Sequence, residues 1–381
     1  MATIEDIRSA LRGVVDPELG GDVVELGMVP EIELVDGIAT IHLALTIAAC
    51  PMRDQIENDV VRKVNALSGV DDTVVQVTAM TSRQRSELMS VARRRAREDA
   101  EPTRVSPTTR VIAVGSGKGG VGKSSVSTNL ALALSSVGFR VGLLDADIWG
   151  FSIPRMLGAD DRLVAGEDRR IRPAEAQGIQ LVSTGLLVDD EDKALMWRGL
   201  MLTKALEQFL KDVAWDPDLD YLVMDMPPGT GDIQMALARL LPQAEMVVVT
   251  TPQKAAQKVA ARVADMARRS YLPVVGVIEN MSGFTTPDGQ HFDLFGSGGG
   301  QALADELGVP LVGRVPLDPT VVEGGDEGAP VVVADPTTPA GRAFTEIAAE
   351  IIRLVPPAQD ETCTARIAVL MEQLERADAP A

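Results

Sequence analysis

The sequence predicts an α/β protein whose mainly parallel sheet is covered by helices on both faces, preceded by a small α+β domain. From residue 110 onward, near-continuous apolar segments alternate with helix-forming stretches, as in a parallel sheet that is buried on both sides. A glycine-rich loop separates the first of these strands from the helix that follows it. Residues 1–81 instead combine two helix patterns with a hairpin signal and a closing strand, so we expect them to form a unit of their own.

Capping and turn signals define the elements of this first domain. Thr3 to Asp6 is a capping-box pattern at the start of an amphipathic helix. Asp36-Gly37 lies between two apolar segments and predicts a hairpin. Cys50-Pro51 opens a second helix, since proline is favoured in the first turn, and residues 74–78 form the closing strand.

Three further regions follow the first domain. Residues 82–109 are polar, rich in arginine and contain prolines, which predicts a helical segment and a linker. Residues 110–357 carry the strand–helix alternation, and residues 358–381 form an acidic tail. Seven strands are expected in the sheet, at residues 111–114, 141–144, 179–182, 221–224, 246–249, 274–278 and 311–315.

The amino-acid composition argues against several classes of function. The chain has 381 residues and a net charge of −19, which argues against nucleic-acid and membrane partners because both need basic surfaces. Two cysteines are too few for a disulfide scaffold and fit a reducing compartment. Neither a signal peptide nor a membrane span is evident, so we expect a cytoplasmic protein.

A P-loop lies between the first strand and the first helix of residues 110–357. Its glycines let backbone N–H groups converge on phosphate oxygens, Lys123 reaches the β and γ phosphates, and Ser124 offers its hydroxyl to Mg²⁺. The predicted nucleotide-binding loop comprises Gly117, Lys118, Gly119, Gly120, Val121, Gly122, Lys123 and Ser124. The fold expected for this region is therefore that of a P-loop NTPase, with ATP and Mg²⁺ as its ligands.

Lys118 is a second lysine within this loop. The phosphates of the nucleotide bound by the same chain give no electrostatic reason for it. We expect a homodimer in which Lys118 neutralises charge at the partner's nucleotide, in the manner of an arginine finger. A solvated loop lysine is the alternative.

Carboxylates follow two other strands of the sheet. Asp145 and Asp147 follow the second strand. Asp147 is the candidate for orienting the attacking water and Asp145 for supporting Mg²⁺, although either could cap the next turn. Asp225 occupies the Walker-B position, and Gly229 can present a backbone N–H to the γ-phosphate. Asn280, at a later strand end, is either an adenine contact or a turn cap.

These segments together resemble a known family. The P-loop, Asp145-Ala-Asp and Asp225-Met-Pro-Pro-Gly are similar to the deviant Walker A ATPases MinD, ParA and nitrogenase iron protein. Residues 145–154, 197–199, 227–232 and 279–283 narrow the resemblance to the Mrp/ApbC branch of iron–sulfur cluster carriers. Through residues 16–18 and 49–51, the first domain resembles the SufT/PaaD maturation domain.

The resemblance implies a dimer that binds a cluster and transfers it to apoproteins under the control of ATP binding and slow hydrolysis. Lys118 would act in trans, Ser125 would bind the α-phosphate, and Asp147 and Asp225 would hold water and metal. One departure stands out: the family usually carries Cys-x-x-Cys shortly after the Glu-Asn-Met-Ser segment, and no cysteine lies between residues 110 and 357.

The cluster ligands are therefore left open. Cys50 precedes a predicted helix, whose dipole favours the thiolate, so it is the better candidate; a buried, inert thiol is the alternative. Cys363 lies in the acidic tail, and His291 lies in the loop that lacks the cysteine pair. A second function remains possible: a MinD/ParA-like dimerisation switch that binds a protein partner without a cluster.

Overall fold

The chain folds as two compact units, Met1–Asp99 and Ala100–Ala381. The computed structural model describes residues 2–16, 21–45, 52–81, 83–85, 87–88, 90–91, 94, 102–147, 150–166, 168–187, 199–229 and 231–357. None of the helices within these ranges is long and apolar enough to cross a bilayer. The finer domain limits at residues 81, 109 and 357 stay predictions.

The first unit contains two helices and a three-stranded sheet. Its elements are α1 (Ile4–Leu11), β1 (Glu31–Val35), β2 (Ile38–Leu45), α2 (Arg53–Asn65) and β3 (Asp72–Ala79). The Thr3 hydroxyl and the Asp6 carboxylate cap α1 reciprocally, as the capping box predicts. Strands β1 and β2 are antiparallel and joined by Asp36 and Gly37, whose φ angles of 50° and 82° suit a two-residue hairpin turn. Strand β3 lies parallel to β2, with α2 in the connection between them.

One face of this sheet carries the unit's core. Ile7 and Leu11 of α1, Ile56 and Val60 of α2, and Ile41 of β2 are buried in one cluster. The opposite face is solvent-exposed, because alternate strand residues point away from the helices, and it carries polar and charged side chains together with Val35, Ile38 and Val74.

The second unit has an eight-stranded sheet. Its strands are β4 (Arg110–Ser116), β5 (Val141–Asp145), β8 (Ala174–Ala176), β9 (Ile179–Ser183), β10 (Tyr221–Asp225), β11 (Glu245–Thr250), β12 (Val274–Glu279) and β15 (Leu311–Arg314). They are arranged in the order β15-β12-β11-β4-β10-β5-β9-β8. All neighbouring strands are parallel except β8 and β9, so the mainly parallel sheet predicted from the sequence is confirmed. The helices are α3 (Lys123–Ser136), α4 (Ile153–Met156), α5 (Gly199–Lys211), α6 (Gly231–Leu240), α7 (Lys254–Arg269), α8 (Gly299–Leu307), α9 (Pro319–Asp326), α10 (Val331–Ala334) and α11 (Pro339–Leu354).

Helices cover both faces of this sheet, as expected. Alternate residues of β4 enter different cores: Ile112 packs with α3 and α11, whereas Val111 packs with α5, α6, α7 and α8. A strand that is buried on both faces must be apolar throughout, which explains the continuous apolar segments in the sequence.

Two short hairpins and the edge strand β8 were not predicted from the sequence. Strands β6 (Val164–Ala165) and β7 (Ile171–Arg172) form one hairpin, and β13 (Phe284–Thr285) and β14 (His291–Phe292) form the other. The second hairpin lies in the segment where the family resemblance leads one to expect cysteines. With two residues per strand, neither hairpin has a periodicity that the sequence could reveal.

Candidate nucleotide site

The P-loop runs from the end of β4, the fourth strand in the sheet order, to the start of α3. Its curvature requires glycine at two positions for different reasons. Gly117 lies against the backbone of α7, where an added Cβ would approach Val259 C and Ala260 N to 2.5 Å. Gly122 has a φ of 77° and faces Asn280, whose Nδ2 would lie 2.2 Å from an added Cβ. Side chains at these positions would therefore push the loop out of its phosphate-binding shape.

Lys123 and Asp225 form a buried ion pair at the centre of the site. Lys123 Nζ lies 2.6 Å from Asp225 Oδ2, and the side chains are only 6% and 1% exposed. The pairing of β10 with β4, with Asp225 beside Val114, brings the carboxylate to the P-loop. The Walker-B carboxylate therefore lies against the Walker-A lysine.

Two serine hydroxyls of α3 complete the contacts of Asp225. Ser124 Oγ donates to Oδ2 and Ser127 Oγ donates to Oδ1, both at 2.6 Å. Hydroxyl and carboxylate oxygens are the ligands that Mg²⁺ takes in nucleotide sites, so Ser124 and Asp225 fit this ion. Ser127 was missed by the sequence analysis, although its place one helical turn after Ser124 puts both hydroxyls on the same side of α3.

Asp145 lies beside Asp225 in the sheet and is fully buried. Its oxygens accept hydrogen bonds from Ser183 Oγ at 3.0 Å and from the Asp147 backbone N–H at 3.1 Å. Burial, reinforced by the Asp225 charge and opposed by Lys123, raises the pKa of Asp145 to about 7. Ser183 was not predicted. It ends β9, which pairs with β5, so its side chain reaches Asp145 through strand register.

Asp147 lies just beyond the end of β5 and is partly accessible. Its carboxylate is thus better placed to meet a water molecule than that of Asp145, which is enclosed by the sheet. The assignment of Asp147 to water and of Asp145 to Mg²⁺ stays a prediction.

Asn280 lies against the P-loop. Its Nδ2 donates to the Val121 carbonyl at 2.9 Å, and the residue is buried. This contact holds the loop from the end of β12, a positioning role that the sequence analysis did not foresee. The adenine contact predicted for Asn280 has no counterpart in these contacts and stays a prediction.

The other predicted phosphate-binding groups lie around the loop. The Gly229 N–H donates to the Ser116 carbonyl at 3.2 Å, so contact with a γ-phosphate requires this hydrogen bond to break. Lys118 is exposed, and its Nζ lies 3.4 Å from Gln253 Oε1, just before α7. Gly119 and Gly120 are exposed on the same loop, and Ser125 lies in the first turn of α3.

Of the three candidate cluster ligands, only His291 lies within the residues that the structure describes. Cys50 and Cys363 lie outside the ranges that the structure describes. His291 lies on β14, where its Nδ1 is 3.2 Å from Thr285 Oγ1 and its Nε2 is 3.3 Å from Asp293 Oδ1. Both ring nitrogens of His291 thus have polar partners within its own hairpin.

A P-loop after the central strand, with its lysine paired to an aspartate at the end of the neighbouring strand, defines a P-loop NTPase. Residues 107–352 match the family described as NUBPL iron-transfer P-loop NTPase, and residues 4–77 match the family described as iron-sulfur cluster assembly protein. The chain belongs to the NUBPL-type family of iron-transfer P-loop NTPases, which confirms the relationship predicted from the motifs.

Individual relatives extend this similarity over most of the chain. It is 45% identical over 350 residues to an iron-sulfur cluster carrier protein of Mycobacterium tuberculosis, covering 90% of this chain and 91% of that protein. It is 35% identical to the chloroplastic Fe-S cluster assembly factor HCF101 of Arabidopsis thaliana, covering 95% of this chain and 66% of that protein. A nucleotide-binding protein of Archaeoglobus fulgidus, solved with ADP, is 32% identical with a TM-score of 0.51, covering 62% of this chain and 91% of that protein.

Proposed function

We propose that this chain is an iron–sulfur cluster carrier that binds clusters and transfers them to apoproteins, with ATP binding and hydrolysis controlling the exchange. The observation that carries the proposal is the match to a cluster carrier over 90% of the chain, which includes an intact Lys123–Asp225 nucleotide site. Apoprotein clients follow from cluster transfer, since a carrier must hand its cargo to a recipient.

ATP hydrolysis is assigned to the P-loop groups. Lys123 has to exchange its bond with Asp225 for contacts with the β and γ phosphates, which frees the carboxylate to face the metal. Bound Mg²⁺ supplies positive charge to the phosphate oxygens, and Ser124 and Asp225 would hold it. Asp147 orients the attacking water from the accessible end of β5.

A homodimer is part of this proposal. Lys118 is exposed at the P-loop and is 3.4 Å from a neutral amide rather than a carboxylate, so its charge is available to a partner's nucleotide. Analytical ultracentrifugation with and without ATP tests the dimer; sedimentation as a monomer in both conditions would contradict it. A cytoplasmic location, and the absence of nucleic-acid and membrane partners, remain predictions from composition.

The cluster is cargo, and its ligands set the main experimental question. An iron–sulfur cluster normally takes four thiolates, and each chain supplies only Cys50 and Cys363. We assign Cys50 of each copy in the dimer as a ligand, which supplies two thiolates. The two remaining positions would then be taken by ligands other than cysteine. The alternative function, a dimerisation switch without a cluster, is favoured by one observation: residues 110–357 contain no cysteine.

Anaerobic reconstitution with iron and sulfide separates the two functions. Wild type, Cys50→Ser and, as a matched control, Cys363→Ser are compared by visible absorption and by iron and sulfide analysis. Charge-transfer bands that are lost in Cys50→Ser and kept in Cys363→Ser support a carrier with its cluster on the first domain. A colourless wild type that hydrolyses ATP would overturn the carrier function in favour of the switch.

A further inference from the structure

A group of metal-ligating side chains lies on the outward face of the first unit's sheet. In the antiparallel pairing of β1 with β2, Glu31 lies directly opposite His42, and Glu33 follows two residues along β1. Because strand side chains alternate between faces with a period of two, Glu31, Glu33 and His42 all point to the same side. This is the face opposite the one that α1 and α2 cover.

The donor atoms of these three residues already lie close together. One carboxylate oxygen from each glutamate and one imidazole nitrogen lie within 4.8 Å of one another. Glu31 and Glu33 are exposed and His42 is half-buried. Among the described residues, none of these three side chains makes a hydrogen bond or an ion pair with another residue. The donors are therefore free to bind an ion without first breaking a protein contact.

Charge also favours a cation here. Two carboxylates held a few ångströms apart on one strand repel each other, and like charges on neighbouring sheet positions are destabilising. A cation that bridges them removes this repulsion.

We propose that Glu31, Glu33 and His42 bind a divalent first-row transition-metal ion. The donor set of one imidazole and two carboxylates suits Zn²⁺, Fe²⁺ or Mn²⁺, whereas Mg²⁺ and Ca²⁺ prefer oxygen ligands alone. Three protein ligands leave positions for water, which makes this an open site accessible from solvent. The pairing of β1 with β2 fixes the spacing of the ligands, so the site needs neither nucleotide nor cysteine.

Cobalt absorption on the full-length chain tests the proposal. Co²⁺ is titrated into metal-free protein in a Cys50→Ser/Cys363→Ser background, without nucleotide and with excess Mg²⁺, so that thiolates and the P-loop do not contribute. We expect visible d–d bands that saturate at one Co²⁺ per chain and disappear when Zn²⁺ is added. His42→Ala and Glu33→Gln each weaken Co²⁺ binding by at least about tenfold, the loss that removing even an outer-shell partner causes in metal sites.

Matched variants decide the outcome. His291→Ala removes the other histidine of the chain, and Thr40→Ala changes a neighbour of His42 on the same face; both are expected to keep wild-type affinity. Glu33→Gln alters an exposed side chain, so it tests the site even if His42→Ala unfolds, which circular dichroism would reveal. Unsaturable Co²⁺ absorption in wild type, or equal affinity in wild type and Glu33→Gln, would overturn the proposal.

Discussion

Replacing Asp225 with asparagine separates the structural and catalytic roles of the buried ion pair. The change keeps the size of the side chain and an oxygen acceptor for one of the two serine hydroxyls, but removes the charge that faces Lys123. Removing one partner of a buried ion pair costs about 3–5 kcal/mol, because the other charge is left without compensation in a region of low dielectric.

The neighbouring Asp145 reduces this cost. The Asp225 charge contributes to the raised pKa of Asp145, so Asp225→Asn lowers that pKa and lets Asp145 ionise near Lys123. We therefore expect the loss for Asp225→Asn at the lower end, about 3 kcal/mol. For a domain of this size, that corresponds to a fall of about 6–12 °C in Tm.

Thermal unfolding and ATP hydrolysis are measured on three proteins: Asp225→Asn, Lys123→Met and the double variant. Hydrolysis is lost in all three, because each lacks a group that binds phosphate or metal. The double variant is expected to be less destabilised than the sum of the single ones, since it contains neither unpaired charge. An Asp225→Asn protein with the Tm of wild type would refute the account of Lys123 as a buried charge that needs this partner.

Three further predictions concern the same site. Asp145 has a folded-state pKa of about 7 against 3.8 in the unfolded chain, so its stabilising contribution is complete below about pH 4 and is lost as the pH rises to about 7. In Asp145→Asn, the free energy of unfolding should depend less on pH than in wild type. Wild-type urea-unfolding curves that do not change from pH 5 to 8 would contradict the prediction. Gly122→Ala is expected to weaken ADP binding in calorimetry, because its φ is 77° and its Cβ meets Asn280; affinity equal to that of wild type would show that the loop can adapt. Lys118→Ala should lower kcat for ATP hydrolysis by roughly 10³-fold, the lower end of the effect of charges supplied in trans. Gln253→Ala should leave kcat unchanged. Equal effects of the two would mean that Lys118 acts through its contact with Gln253 within its own chain.

The nucleotide site could be predicted from the sequence where a group belongs to a recognisable local pattern. The P-loop is eight consecutive residues, and Asp225 ends an apolar strand, so both are visible without coordinates. The contacts of Asp145 with Ser183, and of Asn280 with the P-loop, depend on which strands are neighbours in the sheet. The order of the strands along the chain does not predict which of them are neighbours in the sheet. Strand β4, for example, lies between β11 and β10, which come much later in the sequence.

The Glu31–His42 pairing is a different case, since the sequence contained enough to find it. A two-residue turn at Asp36-Gly37 pairs Val35 with Ile38, and counting outward from this pair places Glu31 opposite His42. Such a prediction was not made from the sequence, because it requires the turn type and the strand register to be combined; each strand by itself shows only exposed polar residues at these positions.

The end of β12 connects the nucleotide site to the segment where the family usually carries its cysteine pair. Asn280 holds the Val121 carbonyl of the P-loop, while the adjacent Glu279 accepts hydrogen bonds from Ser282 Oγ at 2.6 Å and from the Gly300 N–H at the start of α8. Glu279 is fully buried, so these hydrogen bonds replace its hydration and cannot be given up without cost. Glu279 and Asn280 thus contact both the P-loop and the two ends of the segment from Met281 to Gly300. We expect a P-loop that changes shape on binding nucleotide to move this segment through the same strand end, whether or not the segment carries cysteines.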